Sequence, residues 1–330
     1  MIITNQDSAT ATALKDQLVA QNPDLLIFQH AQNLALPTVK TVANLPIELP
    51  AGAQVILNHH AAVQSTRAFH PENTVITTPH SEIGDGSLVI MAGPDSIESA
   101  EHVAQMATEV HAVGATVLRG GSFKPRTSPY SFQGVGEAGL IAHRQAADAA
   151  GLDMVTEVLD PRDVDVVDQY TDIFQIGTRN MQNFALLKAV GAKRKPVVLK
   201  RGMSATLDEF LQAAEYIAAG GNTQIILMER GIRSFDNKYT RNTLDVGAIA
   251  VLKQMTHYPV LLDASHAAGE RALVTPLTLA GVAAGADGFM LEIHDNPDAA
   301  FVDAQQAITP AHMGEIVTKA RQIHAIVRGE

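Results

Sequence analysis

Leu88-Val-Ile-Met-Ala-Gly93 is a six-residue apolar run. A helix-length segment with Val103, Met106, Ala107 and Val110 at helical spacing follows it, and then a second run, Thr116 to Arg119. Buried strand, amphipathic helix, buried strand is the signature of parallel strands joined by crossover helices. The pattern repeats through runs at Asp153 to Val158, Ile173 to Gly177, Val197 to Arg201, Gln224 to Arg230, Pro259 to Asp263 and Gly288 to His294, eight in all. Eight β/α units over roughly 240 residues match the size of a (β/α)8 TIM barrel. A doubly wound open sheet is the alternative arrangement of such units.

The carboxyl ends of these runs are polar although their interiors are apolar. In order they carry Asp95, Arg119, Glu157, Gln175 with Arg179, Lys200-Arg201, Glu229-Arg230, Asp263 with His266, and Glu292 with His294. Barrel enzymes assemble their sites at that face, so the eight ends predict an active-site rim. The loop from Leu118 to Gly134 adds Lys124 and Arg126 to Arg119 and is broken by Gly120-Gly121 and Pro125. In a chain of net charge -11 this cluster is not general basicity; it reads as a site for more than one phosphate. Lys200, Arg201 and Arg230 at apolar strand ends need anionic partners, and Glu157 and Glu229 are the candidates.

Spacing alone also brings His266, Glu292 and Asp303 to adjacent strand ends, a pattern that suits a divalent metal. The plainer readings are that Asp303 caps the next helix and His266 is a hydrogen-bonded polar residue. Asp95, in Asp95-Ser-Ile-Glu98, resembles the start of a capping box.

Residues 1–70 read as a separate small α+β module and 71–330 as the barrel. Strands are expected at Ile2 to Thr4, Leu25 to Phe28 and Gln54 to Leu57, with a helix from Ser8 to Gln21; Pro37, Pro46 and Pro50 interrupt the rest. His70 to Thr74 reads as a linker turn, Ile83-Gly-Asp-Gly-Ser87 as a hairpin turn, and His59-His60 as surface residues. The absence of cysteine excludes disulfides, thiolate ligands and cysteine nucleophiles. The acidic balance argues against nucleic-acid or membrane-surface binding, and no apolar run reaches the length of a membrane span. The first residues lack the plan of a signal peptide, so a cytoplasmic location is expected.

With these residues assembled, the chain from about Arg67 onward resembles the type I 3-deoxy-D-arabino-heptulosonate 7-phosphate (DAHP) synthases, in the subgroup related to 3-deoxy-D-manno-octulosonate 8-phosphate synthases. The motifs are Ala92-Gly-Pro-Asp-Ser96, Arg119-Gly-Gly, Lys124-Pro-Arg-Thr-Ser128, Gln175-Ile-Gly-Thr-Arg-Asn-Met-Gln182, Leu199-Lys-Arg-Gly202, Glu229-Arg-Gly231, Tyr239-Thr-Arg-Asn-Thr243, Ser265-His266 and Glu292-Ile-His294. Their number and order make the likeness specific.

The resemblance implies condensation of phosphoenolpyruvate with erythrose 4-phosphate, the first step of the shikimate pathway. It implies that Arg119, Lys124, Arg179, Lys200 and Arg230 hold phosphoenolpyruvate and that Arg126 and Thr127 meet erythrose 4-phosphate. Lys124, Asp263 and His266 fall at the family's catalytic positions, with Asp263 near the aldose hydroxyls or a metal-bound water. Asp95, His266, Glu292 and Asp303 fall at its four metal-ligand positions. Two departures stand out: the family has cysteine where this chain has Asp95, and proline where it has Ala264. A nitrogen and three carboxylates favour Mn²⁺, with Mg²⁺ or Fe²⁺ as alternatives.

Metal is expected to be retained, because unpaired carboxylates beside a phosphate site would repel the substrates. The resemblance further implies that residues 1–70 are a degenerate ferredoxin-like regulatory module and that the chain forms a dimer or tetramer. The competing readings are an octulosonate 8-phosphate synthase, which Lys124-Pro-Arg-Thr-Ser128 disfavours, and a non-catalytic paralogue that lost its metal at Asp95.

Overall fold

The computed structural model describes residues 1–57, 62–125, 128–236 and 238–330. The chain opens with β1 (Ile2–Thr4), α1 (Ser8–Gln21), β2 (Phe28–His30), β3 (Asn33–Ala35) and β4 (Gln54–Ile56). Every pairing in this sheet is antiparallel and its order is β2-β3-β1-β4. That is the ferredoxin-like order with the second helix reduced to a single 3-10 turn at Val42–Asn44. Pro37, Pro46 and Pro50 occupy the stretch where that helix would run, and each removes a helical hydrogen bond.

The expected strand at Leu25 to Phe28 is displaced. Phe28 begins β2, which pairs with β3, a strand the sequence did not reveal, while Leu25 and Ile27 pack against the cluster containing Leu14 and Leu18 instead. Their apolarity marks packing rather than pairing.

Segment 62–74 joins the sheet to the barrel. Glu215 accepts hydrogen bonds from the backbone of Gln64 and Ser65 at 2.9 and 3.0 Å and from the Ser65 hydroxyl at 2.9 Å. Val63 and Phe69 pack with Ile2 and Ala35 from the sheet. A hairpin follows, β5 (Ile76–Thr77) with β6 (Glu82–Ile83), closed by Thr78 N donating to Ser81 O at 2.9 Å.

The hairpin turn expected at Ile83 to Ser87 lies instead at Thr78 to Ser81, and Ile83 ends the second strand of the hairpin. Gly84 and Gly86, at φ +96° and +104°, steer the chain out of β6 toward the barrel, and a Cβ on Gly84 would meet Thr74 O at 2.3 Å. Ile76 and Ile83 pack inside the barrel with Val89, Met91 and Leu261, so the hairpin plugs its amino end. Thr78 and the His80 backbone anchor the plug on Asp153 at 2.6 and 3.1 Å.

The eight expected runs form eight parallel strands: β7 (Val89–Gly93), β8 (Val117–Arg119), β9 (Asp153–Glu157), β10 (Ile173–Ile176), β11 (Val197–Lys200), β12 (Ile225–Glu229), β13 (Val260–Asp263) and β14 (Gly288–Glu292). They close into a barrel in which β14 pairs with β7, so the fold is (β/α)8 and not an open sheet. Closure explains the apolar runs: one face of each strand fills the barrel and the other meets a helix.

The crossover helices are α2 (Ala100–Ala112), α3 (Glu137–Ala150), α4 (Val164–Tyr170), α5 (Phe184–Gly191), α6 (Leu207–Ala219), α7 (Val246–Met255), α9 (Arg271–Ala283) and α10 (Pro310–Arg328), with a short α8 (Ala264–Ala268) ahead of α9. Two capping assignments change. Ser99, not Asp95, caps α2 by accepting from His102 N at 3.1 Å, and Thr309, not Asp303, caps α10. Among the described residues no helix is long and apolar enough to cross a membrane.

Candidate active site

The carboxyl ends of the strands enclose a cavity of about 300 Å³. Arg119, Lys124, Arg179, Lys200 and Arg230 line it, and with them Asp95, His266 and Asp303. Two walls of opposite chemistry face each other.

The cationic wall is buried at Arg119, Lys124, Lys200 and Arg230 and exposed at Arg179. Arg119, ending β8, donates from Nη2 to Asp95 Oδ1 at 2.9 Å, while its Nη1 is buried without a partner among the described residues. Lys124 folds back to donate to Asp95 Oδ2 at 2.6 Å and to the Asp95 carbonyl at 2.9 Å. Glycine permits this fold: a Cβ on Gly121 would come 2.9 Å from Lys124 Cδ and 3.1 Å from Asp95 O.

Lys200, ending β11, donates to Asp263 Oδ2 at 2.5 Å. Arg230 follows β12, and its Nε and Nη1 are buried without partners among the described residues. Burial lowers the pKa of Arg230 and of Lys200, with Asp263 opposing it in both. Orphaned guanidinium donors in a cavity are what a bound anion would satisfy.

The expected neutralising glutamates divide. Glu229 accepts from Arg201 at 2.9 Å and from Gly231 N at 2.6 Å, and Arg201 also reaches Asp245 at 2.9 Å, so Arg201 is spent on structure. Lys200 instead takes Asp263. Glu157 has its pKa raised by burial, against Lys124 and Lys200, and packs so closely that a Cβ on Gly177 would lie 1.9 Å from its Oε1.

On the acidic wall, Asp95, His266, Glu292 and Asp303 each offer one ligand atom, all within 4.8 Å of one another. His266 is aimed by Asp263. Oδ1 of Asp263 accepts from His266 N at 3.0 Å, and Oδ2 lies 2.9 Å from His266 Nδ1. His266 Nε2 lies on the other side, 3.6 Å from Asp95 Oδ1 and 3.9 Å from Asp303 Oδ2, with the Nδ1–Asp263 approach an ion-pair contact beside the backbone hydrogen bond.

Glu292 accepts from Gln306 at 2.7 Å through Oε2, and its Oε1 is buried without a partner among the described residues. Asp303, at φ +53° in the loop before α10, accepts from Arg241 at 2.7 Å and from Gln306 at 3.4 Å.

Burial alone would raise the Asp95 pKa, but Lys124, Arg119 and His266 override it and hold the carboxyl well below the usual range. Glu292 goes the other way. Burial and then the charge of Asp95 push it well above the usual range, with Arg119 opposing and Asp303 adding to the push. A buried carboxyl short of one partner and crowded by two others fits a divalent cation, whose charge would offset that crowding.

Sequence reasoning did not single out Gln306 or Arg241 as site residues, although Arg241 lies in a quoted motif. Gln306 is fully buried and braces Glu292 and Asp303, yet nothing local distinguishes it from Gln305 beside it. His294 ends away from the ligand cluster. Its Nδ1 is 3.0 Å from Asp295 and its ring centroid 4.4 Å from that of His102, while Glu98 accepts from Phe301 N at 2.8 Å; together they tie the loop after β7 to the loop carrying Asp303. Arg126, Thr127, His59 and His60 lie outside the described residues.

The chain matches the DAHP synthetase I family over residues 69–328. It is 49% identical over 258 residues, 78% of this chain and 76% of the relative, to the phospho-2-dehydro-3-deoxyheptonate aldolase of Thermotoga maritima. It is 30% identical over 264 residues, 74% of this chain and 94% of the relative, to the 2-dehydro-3-deoxyphosphooctonate aldolase of Syntrophotalea carbinolica. The solved structure of phospho-2-dehydro-3-deoxyheptonate aldolase (DAHP synthase) from Thermotoga maritima aligns with a TM-score of 0.80 at 39% identity, covering 99% of this chain and 97% of that one.

Proposed function

Because the chain belongs to the DAHP synthetase I family, we propose that its barrel cavity seats phosphoenolpyruvate on the cationic wall and a divalent cation on the acidic wall. The protein is a DAHP synthase: it joins phosphoenolpyruvate to erythrose 4-phosphate with consumption of one water and release of phosphate, the first step of the shikimate pathway.

The observation that carries the assignment of the walls is the set of orphaned guanidinium donors, Arg119 Nη1 and Arg230 Nε and Nη1. Arginine forks match the carboxylate and phosphate of phosphoenolpyruvate, and Lys124, Lys200 and Arg179 supply further positive charge. Arg126 and Thr127 are proposed to meet erythrose 4-phosphate. Phosphate release leaves charge on the departing oxygens, and the same cations stabilise it without reorganising.

The family is metal-dependent. Here His266, Glu292, Asp303 and Asp95 would hold the ion, and its harder oxygen-rich donor set suits Mn²⁺, with Mg²⁺ or Fe²⁺ as alternatives. When bound, such an ion polarises a carbonyl oxygen as a Lewis acid. Asp263 is a positioning residue in this account: it fixes the His266 imidazole and neutralises Lys200. Asp95 has two tasks, sharing its carboxylate between the ion and the Arg119–Lys124 pair.

The division at residue 70 and a regulatory role for the ferredoxin-like module belong to the same proposal, as does assembly into a dimer or tetramer. The exposed Phe184–Tyr216 stack, with ring centroids 4.4 Å apart, offers an apolar surface for assembly. The cysteine-free composition suits a cytoplasmic location.

The aldose is tested by supplying phosphoenolpyruvate with erythrose 4-phosphate or with arabinose 5-phosphate and measuring phosphate release. Release with the four-carbon sugar is expected. Turnover with arabinose 5-phosphate alone would move the enzyme to the octulosonate reaction.

A further inference from the structure

Far from the active site, where the N-terminal sheet meets the barrel, three histidine rings form a column. His30 ends β2; His70 lies in the segment entering the barrel; His257 precedes β13. The His30 and His70 centroids are 3.6 Å apart with planes 27° from parallel, and His70 and His257 are 4.1 Å apart at 28°. Glu72 Oε2 approaches His30 Nε2 to 3.5 Å. The column lines a cavity of about 360 Å³, room enough for a hydrated ion to enter.

His257 is spent: its Nε2 takes the Gln64 carbonyl at 2.8 Å and its Nδ1 the Thr74 hydroxyl at 2.6 Å. It fixes the base of the column. His30, His70 and Glu72 each offer one ligand atom, and the three atoms lie within 4.8 Å of one another. Among the described residues, the other histidine–carboxylate group outside the active site, Glu98 with His102 and His294, differs. Both its imidazoles lean on Asp295, at 3.1 and 3.0 Å, and Glu98 holds Phe301 N, so it acts as a loop brace.

We propose that His30, His70 and Glu72 form a second cation site, selective for a borderline divalent transition metal such as Zn²⁺ or Ni²⁺, that clamps the N-terminal module to the barrel. Two imidazoles and one carboxylate favour these ions over Mg²⁺ or Ca²⁺, which prefer all-oxygen sites. His30 belongs to the sheet, while His70 and Glu72 belong to the segment that leads into the barrel, with His70 stacked on His257. Binding there therefore stabilises only the docked arrangement and opposes separation of the two parts. A site open on one side leaves coordination positions for water.

The test compares Zn²⁺ uptake by wild type, H30Q and E72Q in equilibrium dialysis, together with melting temperature and DAHP synthase turnover. Both substitutions are mild, since the His30 and Glu72 side chains are 34% and 71% exposed. H30Q is expected to bind one Zn²⁺ fewer than wild type and E72Q to hold that ion more weakly. Zn²⁺ should raise the wild-type melting temperature but not that of H30Q. Turnover with the saturated active site should be unchanged in both, and the Zn²⁺-dependent shift is read against each variant's own metal-free melting temperature. A Glu292→Gln chain keeps the seam ion, which separates this site from the catalytic one. Equal Zn²⁺ uptake by wild type and H30Q, or an equal thermal shift in both, would overturn the proposal.

Discussion

The two walls of the active-site cavity are built from the same elements, strand ends of one barrel, yet they solve opposite electrostatic problems. Among the described residues, the cationic wall leaves donors of Arg119 and Arg230 without partners, while the acidic wall leaves Glu292 Oε1 without one and holds its carboxyl above the usual pKa range. Each wall is incomplete without something from outside: an anion on one side, a cation on the other. Asp95 stands between them, bonded to Arg119 and Lys124 while 3.6 Å from His266 Nε2. The lesson is that the walls are coupled through one carboxylate, so a change at Asp95 should be felt on both.

The comparison breaks most strongly on the acidic wall. Glu292→Gln keeps the shape and the Gln306 neighbour but removes a ligand charge. Turnover should fall on the order of a thousandfold, the equivalent of several kcal/mol of lost transition-state stabilisation, with bound Mn²⁺ lost in dialysis. Retained Mn²⁺ and turnover would show that the acidic wall holds no catalytic ion.

On the opposite wall Arg230→Ala should raise the KM for phosphoenolpyruvate about 10- to 100-fold through loss of charged hydrogen bonds, with Mn²⁺ binding intact. An effect on metal binding equal to that on KM would mean that the walls are not separable.

Asp95→Cys sharpens the boundary. Turnover should stay within about tenfold while affinity moves toward softer ions such as Zn²⁺, because a thiolate replaces a carboxylate. Unchanged metal preference would confine Asp95 to the Arg119–Lys124 side.

Much of this cavity could be read in the sequence because a parallel barrel writes its site in local order. Strand interiors must be apolar on both faces, so a charged residue at the end of a run, such as Lys200 after Val197-Val-Leu, points at the rim. What could not be read is who pairs with whom. Lys200 takes Asp263, 63 positions away, in preference to Glu157, and that choice depends on barrel geometry.

Local signals also misled where two explanations shared one pattern. Asp95-Ser-Ile-Glu98 has the letters of a capping box, but Ser99 caps the helix, freeing Asp95 for the cavity. Gln306 escaped notice because its role exists only once Asp303 has turned through φ +53° beside it. In the N-terminal module, β3 was hidden because Asn33-Leu-Ala35 is too short for an alternation to register.

The central claim is that the acidic wall, with Asp95 among its carboxylates, carries a divalent ion that the reaction requires. It is tested most directly by following phosphoenolpyruvate consumption with erythrose 4-phosphate before chelation, after exhaustive chelation, and after re-addition of Mn²⁺. Loss of consumption on chelation and recovery with Mn²⁺ is the predicted result. Consumption that survives complete chelation, or that no divalent ion restores, would contradict it.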